Sequence, residues 1–123
     1  MKILIVEDEE VLVKVLEEKF EAEKFQVTIA RDGYDVVPLA KKFKPDIILL
    51  DIILPGTDGL EVLSFLKADE DLSTIPVIML SNLDDDEKIK KALSLGAVDY
   101  LVKTQHPVKE VVEKVNEYVL KAK

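Results

Sequence analysis

Five short apolar runs alternate along this chain with longer segments in which apolar residues recur every three or four positions. The runs lie at residues 2–6, 25–30, 47–50, 76–81 and 97–102. Apolar runs of this length, bounded by turn residues, are typical of buried strands. The intervening segments predict amphipathic helices, one over residues 9–23 and four that begin near positions 36, 59, 84 and 107. The pattern therefore predicts five successive β-α units.

Strands that alternate with helices predict an α/β fold, in which helices cover both faces of a parallel sheet. For five units the flavodoxin-like (βα)5 doubly wound arrangement, with strand order 2-1-3-4-5, is favoured. The 123 residues are predicted to form one domain, residues 1–123, without a linker or an internal repeat.

Three residues carry expectations about helix ends. Pro38 falls inside the second predicted helix and should kink that helix or delay its start. Gly96 suits the position just after the fourth helix, where a left-handed residue is common. Pro107 suits the first position of the last helix.

Composition and charge restrict the classes of function. The chain has 48% hydrophobic and 34% charged residues and a net charge of −8, and its cations form no single stripe. Direct binding to nucleic acid is therefore not expected. The absence of Cys excludes disulfides and thiolate chemistry. No apolar run approaches the ~18 residues of a membrane span, and the chain enters its first strand without a signal sequence, so a cytoplasmic location is expected.

Carboxylates gather where the first and third predicted strands end. In the expected order these strands are neighbours, and open α/β sheets place their ligand crevice at such a point. Asp51 ends the third strand, and Glu7 and Asp8 follow the first. Close carboxylates repel one another unless a cation intervenes, and Mg²⁺ prefers such oxygen ligands. Taken alone, Asp51 is equally explained as a turn residue, and Glu7 and Asp8 as the acidic start of a helix.

Two further polar residues end the fourth and fifth predicted strands, Ser81 and Lys103. Both strands lie on the same side of the third, so both side chains are expected to reach over Asp51. Singly, each is more often a turn residue or a solvated charge. Together, a hydroxyl, an ammonium, a carboxylate and a metal pocket suit phosphoryl transfer, with the carboxylate as nucleophile.

Five separated features of the chain occur together in one known family. They are Val6-Glu7-Asp8-Glu9, Asp51 within Leu-Leu-Asp-Ile-Ile-Leu-Pro-Gly-Thr-Asp-Gly, Ser81 after Val-Ile-Met-Leu, Gly96-Ala97-Val98-Asp99-Tyr100, and Lys103. Ser81 follows Asp51 by 30 residues, and Lys103 follows it by 52. On these features and spacings the whole chain resembles the receiver domain of bacterial two-component response regulators.

The resemblance implies that Asp51 accepts a phosphoryl group from a sensor histidine kinase or a phosphotransfer protein. It also implies a Mg²⁺ site made by Glu7, Asp8, Asp51 and the backbone carbonyl of Ile53. By the same resemblance, Ser81 hydrogen-bonds the phosphoryl group and Lys103 forms an ion pair with it.

The resemblance further assigns Tyr100 as the aromatic switch, which moves inward as Ser81 is drawn to the phosphoryl group. The output surface would be formed by the fourth helix, the fifth strand and the fifth helix. The chain would act as a switch and not as an enzyme with turnover. Its output would run through a downstream protein partner or through an effector domain missing from this sequence. Phosphorylation-dependent homodimerisation is left open, and so is the identity of the kinase.

Four positions depart from the usual family pattern. Glu7 replaces the commoner Asp and Ser81 the commoner Thr, and both keep the chemical group. Asn82 is bulkier than the usual small residue and is expected to narrow the access to Asp51. Thr104 stands where the family usually has a cis Pro, so a different shape is expected for the loop after the fifth strand.

Two apolar residues, Ile53 and Leu83, occupy the positions that flank the phosphoryl site in the family. Neither side chain can orient an attacking water molecule. This predicts slow hydrolysis of the phosphoryl group.

Three other functions agree less well with these residues. A pseudo-receiver would act only as a phosphorylation-independent interaction module, which the intact Asp8, Asp51, Ser81 and Lys103 disfavour. A phosphatase of the haloacid dehalogenase type would need a second Asp two residues after Asp51, where this chain has Ile. A flavodoxin-like cofactor binder is disfavoured because the acidic loop after the first strand would repel a phosphate.

Overall fold

The structure, a computed structural model, describes residues 1–121. Its strands are β1 (Lys2–Val6), β2 (Gln26–Ala30), β3 (Ile47–Leu50), β4 (Val77–Ser81) and β5 (Asp99–Val102). Its α-helices are α1 (Glu10–Ala22), α2 (Val36–Phe43), α3 (Gly59–Ala68), α4 (Asp86–Ser94) and α5 (Val108–Lys121). Each begins within two residues of its predicted position. The predicted domain extends to position 123, and its last two positions lie outside the described residues.

The five strands form one parallel sheet in the order β2-β1-β3-β4-β5, which confirms the predicted flavodoxin-like topology. The register aligns the ends of the central strands, because Val6 pairs with Leu50. The N–H of Asp51 continues this ladder and donates to the carbonyl of Val6 at 3.1 Å. The residues that follow β1 and β3 therefore meet at the carboxyl edge of the sheet.

The central strand β3 is completely buried between two helical layers. Its even-numbered side chains, Ile48 and Leu50, pack in the core on the side of α2, α3 and α4. Ile47 and Leu49 pack on the opposite side with α1 and α5. Burying one such side chain stabilises the fold by about 1.5–3 kcal/mol. Asp51 therefore follows a strand that is held on both faces.

Pro38 neither interrupts nor delays helix α2, which begins at the predicted position. A 3₁₀ turn, Gly33–Asp35, precedes the helix, which then runs unbroken from Val36 to Phe43. Pro38 is the third residue of α2 and lies in its first turn, where backbone N–H groups have no partner within the helix. The missing N–H of proline consequently removes no helical hydrogen bond.

The ends of α4 and α5 test the other two expectations. Gly96, with φ +110°, ends α4 as predicted. Its N–H donates to the carbonyl of Leu93 and that of Ala97 to the carbonyl of Ala92, the pair of bonds of a Schellman motif. The prediction for Pro107 was off by one residue, because α5 begins at Val108 and the Pro107 carbonyl accepts the first helical bonds.

None of the helices in residues 1–121 combines the length and the hydropathy that crossing a membrane requires.

Candidate functional site

A small cavity of about 120 Å³ opens at the carboxyl edge of the sheet. It is lined by Glu7, Asp8, Glu9, Asp51, Ile53, Asn82 and Lys103. Five of these are residues that the sequence analysis assigned to the site. Cofactor pockets usually enclose about 300–1,000 Å³, so the cavity is too small for a flavin or a nucleotide. It has room for an ion or a single tetrahedral group.

The ammonium group of Lys103 joins two buried carboxylates in this cavity. Its Nζ lies 2.8 Å from Oδ2 of Asp51 and 2.7 Å from Oε1 of Glu7. The side chains of Asp51 and Glu7 are only 6% and 2% exposed. A third carboxylate, that of the exposed Glu9, lies 3.7 Å away. Lys103 directly follows β5 and thus places one positive charge among several negative ones.

Burial and ion pairing act in opposite directions on the pKa values of this cluster. Burial raises the pKa of the Glu7 carboxyl, and the hydrogen bond and charge of Lys103 only partly oppose that change. For Lys103, burial lowers the pKa of the ammonium, but the hydrogen bonds and charges of Asp51 and Glu7 outweigh it and leave the pKa raised. The two pKa shifts arise in one group of interacting charges, in which the carboxylates carry more negative charge than Lys103 can neutralise.

The acidic cluster fits a hard divalent cation. One carboxylate oxygen each from Glu7, Asp8 and Asp51 lie within 4.8 Å of one another. All three are hard oxygen donors, and no imidazole or thiol lines the cavity among the residues that the structure describes. This donor set matches the preference of Mg²⁺ for one or two carboxylates and additional oxygen ligands.

The segment after Asp51 folds back tightly onto the strand end. The N–H of Ile53 donates to Oδ1 of Asp51 at 3.2 Å, and the N–H of Gly59 donates to the carbonyl of Ile52 at 2.8 Å. A Cβ atom on Gly59 would collide with the carbonyl oxygen of Asp51. The side chain of Asp58 caps α3 by accepting from the N–H of Leu60 at 2.6 Å. The start of α3 therefore fixes the backbone of Asp51.

We expect Gly59→Ala to lower the free energy of unfolding by about 1–3 kcal/mol, the usual range for forcing extra atoms into a packed site. The added methyl group would meet the backbone of Asp51 and lie 2.6 Å from the Cα of Ile52. Urea unfolding followed by circular dichroism measures the change. Ser64→Ala in the same helix is the control and should shift the free energy by less than about 0.5 kcal/mol. Equal transition midpoints for the two variants would contradict the predicted collision.

Ser81 and Tyr100 lie beside the cavity without lining it. The buried Ser81 ends β4, and its Oγ accepts a long hydrogen bond of 3.4 Å from the N–H of Leu83. Tyr100 on β5 is 9% exposed, and its hydroxyl donates to the carbonyl of Leu83 at 2.6 Å. Burial raises the pKa of the Tyr100 phenol, although the Ser81 hydroxyl acts in the opposite direction. Both side chains thus converge on the segment that follows β4.

Two further contacts that shape this edge were not expected from the sequence. The carboxylate of Glu9 lies 3.7 Å from Nζ of Lys103. The available signal in the sequence was its position two residues after Glu7. The buried Thr57 donates its hydroxyl to Glu61 at 2.6 Å and so ties the loop after Asp51 to α3. A Thr just before a helix, followed four residues later by a Glu in the first turn, is too common in sequences to have indicated this contact.

The loop after β5 also has a defined shape. The N–H groups of Gln105 and His106 both donate to the carbonyl of Val102, at 2.9 and 3.1 Å. Thr104 lies inside this tight turn. Lys103 is held at its start by the bond from its own N–H to the carbonyl of Ser81 at 2.9 Å.

Comparison with known families identifies the family of this chain. A family model described as "Response regulator receiver domain" matches residues 3–116. The chain belongs to the response regulator receiver family. It is therefore a receiver domain of two-component signalling, as the resemblance in the sequence predicted.

This receiver domain is 41% identical over 102 residues to response regulator PleD of Caulobacter vibrioides. The aligned part is 83% of this chain but only 22% of PleD, so the chain spans about a fifth of that relative's length.

Two solved structures illustrate the similarity of the fold. The receiver domain of the Francisella response regulator 1452 is 30% identical, with a TM-score of 0.90 over 99% of this chain and 98% of its own. The phosphorylated cyanobacterial phytochrome response regulator RcpA is 28% identical, with a TM-score of 0.85 over 99% of this chain and 95% of its own.

Proposed function

We propose that this receiver domain is a phosphoacceptor, in which Asp51 receives a phosphoryl group from a sensor histidine kinase or a phosphotransfer protein. The observation that carries the proposal is the Lys103 ammonium, 2.8 Å from Asp51 and 2.7 Å from Glu7. A carboxylate oxygen of Asp51 would attack phosphorus, and the phosphorus–nitrogen bond of a phosphohistidine would break. The similar RcpA is described as phosphorylated.

In this proposal Glu7, Asp8, Asp51 and the backbone carbonyl of Ile53 hold Mg²⁺. When bound, the ion supplies positive charge against the phosphoryl oxygens. The spacing of the three carboxylates within 4.8 Å supports this assignment. It concentrates negative charge that a cation would relieve.

Lys103 and Ser81 would stabilise the acquired group. The ammonium of Lys103 would exchange part of its contact with Asp51 for a phosphoryl oxygen, which it can reach without leaving the cavity. The Ser81 hydroxyl, whose bond from the N–H of Leu83 is long, is free to donate to another phosphoryl oxygen. Tyr100 would then act as the switch, because it shares the Leu83 segment with Ser81.

The output of the switch would be the face formed by α4, β5 and α5. A downstream protein partner, an effector domain outside this sequence, or a phosphorylation-dependent homodimer would bind there. The role is that of a switch and not of an enzyme with turnover, in the cytoplasm and without direct contact to nucleic acid or membrane. The net charge of −8 is unfavourable for binding to nucleic acid.

Intact-mass spectrometry tests the proposal directly. The protein is incubated with acetyl phosphate, with Mg²⁺ or with EDTA, and Asp51→Asn is treated in parallel. A gain of one phosphoryl group in the wild type with Mg²⁺ is the expected result. No gain, even from a phosphorylated kinase or phosphotransfer protein, would contradict it.

A pseudo-receiver that works as a phosphorylation-independent interaction module is the second candidate. The observation in its favour is Asn82, whose side chain lines the cavity beside Asp51. Asn82→Ala separates the two functions. If Asn82 only narrows the entrance, the variant gains a phosphoryl group faster than the wild type, whereas a pseudo-receiver stays unmodified in both forms.

We expect the phosphoryl group to hydrolyse slowly, because the apolar side chains of Ile53 and Leu83 cannot orient an attacking water molecule. Ile53 lines the cavity and is 57% exposed, and Leu83 is held by Ser81 and Tyr100. Loss of radiolabelled phosphate from the purified phosphoprotein measures the rate. Ile53→Asn offers a polar group at the same position and should shorten the lifetime. A wild-type lifetime of seconds, or no change in Ile53→Asn, would count against this explanation.

A further inference from the structure

An apolar groove lies between the 3₁₀ turn with α2 on one side and α3 on the other. It encloses about 460 Å³, and its lining includes Gly33, Tyr34, Val37, Thr57 and Phe65. Two of these are large aromatic side chains left in solvent, Tyr34 at 72% exposure and Phe65 at 56%. Adjacent exposed aromatics are characteristic of interaction surfaces in proteins. The groove and the cavity around Asp51 have no lining residue in common.

Tyr34 forms one side of the groove and is held by contacts with neighbouring residues. The N–H of Tyr34 donates to Oδ1 of Asp32 at 2.7 Å. A Cβ atom at Gly56, where φ is +85°, would lie 2.8 Å from Cδ2 of Tyr34, so the ring rests against that backbone. The N–H of Gly33 donates to the carbonyl of Pro55 at 3.0 Å. One edge of the ring therefore contacts the backbone of Gly56, while most of the residue is exposed to solvent.

Carboxylates flank both aromatic residues. Asp32 and Asp35 stand on either side of Tyr34 in the 3₁₀ turn. They make no ion pair with any other group in residues 1–121. Neither carboxylate lines the groove itself, but both are close in sequence to Gly33 and Tyr34, which do, so they place two unpaired negative charges beside this end of the groove.

The helix on the other side repeats the pattern. Glu61 and Asp69 lie one turn before and one turn after Phe65 on the same face of the α3 segment. Asp69 is paired with Lys41 at 2.9 Å, whereas Glu61 is engaged only by the hydroxyl of Thr57. Asp69, which lines the groove, is thus neutralised by Lys41, whereas Glu61 lies beside the groove through its contact with Thr57. Together with Asp32 and Asp35 it forms an acidic rim next to the lining residues.

We propose that this groove binds a basic peptide segment of a partner protein, in which a bulky apolar side chain is flanked by lysine or arginine. The apolar side chain would insert between Tyr34 and Phe65, where an aromatic anchor contributes most to affinity. The flanking cations would meet Asp32, Asp35 and Glu61, and could also stack on the exposed rings. A second copy of this chain is a poor occupant, because its net charge of −8 would meet the same acidic rim. The inference does not depend on phosphorylation of Asp51.

Selection from a random peptide library tests the proposal on the unphosphorylated wild-type protein. Peptides are counter-selected against the double variant Tyr34→Ser/Phe65→Ser and then measured by fluorescence anisotropy. Enriched peptides should carry a bulky apolar residue beside lysine or arginine. They should bind the double variant at least about tenfold more weakly, as expected for loss of an anchor residue. Asp35→Lys should also weaken binding and reduce its dependence on salt.

Val11→Ser is the matched control, since Val11 is an exposed apolar residue of α1 with 78% exposure and lies outside the groove. It should leave peptide binding unchanged, and all variants should keep the unfolding midpoint of the wild type. The proposal is overturned if no peptides are enriched, if the enriched peptides lack cations, or if they bind the double variant equally well. Self-association of the wild type that is lost in Phe65→Ser would also overturn it, by making a second copy the occupant.

Discussion

Asp51→Asn should abolish the phosphorylation of this receiver domain, whereas the wild type gains one phosphoryl group from acetyl phosphate and Mg²⁺. The substitution keeps the size of the side chain but replaces the nucleophilic carboxylate with an amide, which does not form an acyl phosphate. It also removes the charge that Lys103 contacts at 2.8 Å. Intact-mass spectrometry at several times of incubation gives the stoichiometry and the rate.

The control for Asp51→Asn is Asp71→Asn, the same change at an exposed carboxylate after α3. It should gain a phosphoryl group at the rate of the wild type. Circular dichroism must show that Asp51→Asn is folded, so that a lost mass shift reports chemistry. A phosphoryl group that still appears on Asp51→Asn would assign the acceptor to another residue and overturn the proposed role of Asp51.

Lys103→Met should lower the free energy of unfolding by about 3–5 kcal/mol, the range for removing one partner of a buried ion pair. Methionine fills much of the same volume but leaves Glu7 and Asp51, both almost completely buried, without their shared cation. Urea unfolding in EDTA measures the change without a divalent ion. The control, Lys109→Met, removes an exposed cation of α5 and should shift the free energy by less than about 0.5 kcal/mol.

The deficit of Lys103→Met should shrink as the pH is lowered. The pKa of Glu7 is already raised above its ordinary 4.5 by burial, and Lys103 opposes that rise. A group with a raised pKa stabilises the fold at low pH and loses that contribution as the pH rises through its folded-state pKa. Without Lys103 this pKa should rise further, so the difference from the wild type should narrow as the pH falls towards 4.5.

Adding Asp51→Asn to Lys103→Met should restore part of the lost stability, because it removes one of the two orphaned carboxylates. If Lys103→Met is as stable as the wild type, or if its deficit is independent of pH, the ion pair does not have the structural role that its geometry indicates.

The fold could be predicted from the sequence because its main signals are local. The fully apolar residues 47–50 identify a central strand, and the valines of α5 at spacings of three and four identify an amphipathic helix. Gly96 likewise indicated its own helix end, since a left-handed conformation is a property of single residues. The effects of Pro38 and Pro107 on their helices were predicted less well. A shift of one or two residues at the start of a helix changes the effect of a proline, but it hardly changes the pattern of apolar residues.

The candidate site could be predicted in part, because parallel strands bring their carboxyl ends to one edge. That rule alone was enough to expect Glu7, Asp8 and Asp51 as neighbours, and to bring Lys103 towards them. It could not show that Lys103 lies between Glu7 and Asp51, because the position of an ammonium on a long flexible side chain depends on which charges are buried around it. The groove between Tyr34 and Phe65 was not predicted at all, since the rule for strand ends does not apply to helix surfaces and the exposure of these two side chains depends on how the 3₁₀ turn packs against α3.

The sequence by itself determined the five β-α units and the parallel sheet, because these follow from periodicity and turn residues. Its resemblance to receiver domains indicated the family and predicted the residues that are proposed to carry the chemistry. Only the tertiary structure decided how charge is distributed at the carboxyl edge, where Glu7 is buried, Asp8 is exposed and Lys103 bridges two carboxylates. The tertiary structure also decided which aromatic side chains remain exposed to solvent. The physical reason is that burial and electrostatic pairing are properties of all the atoms around a group, and those atoms come from segments far apart in the chain.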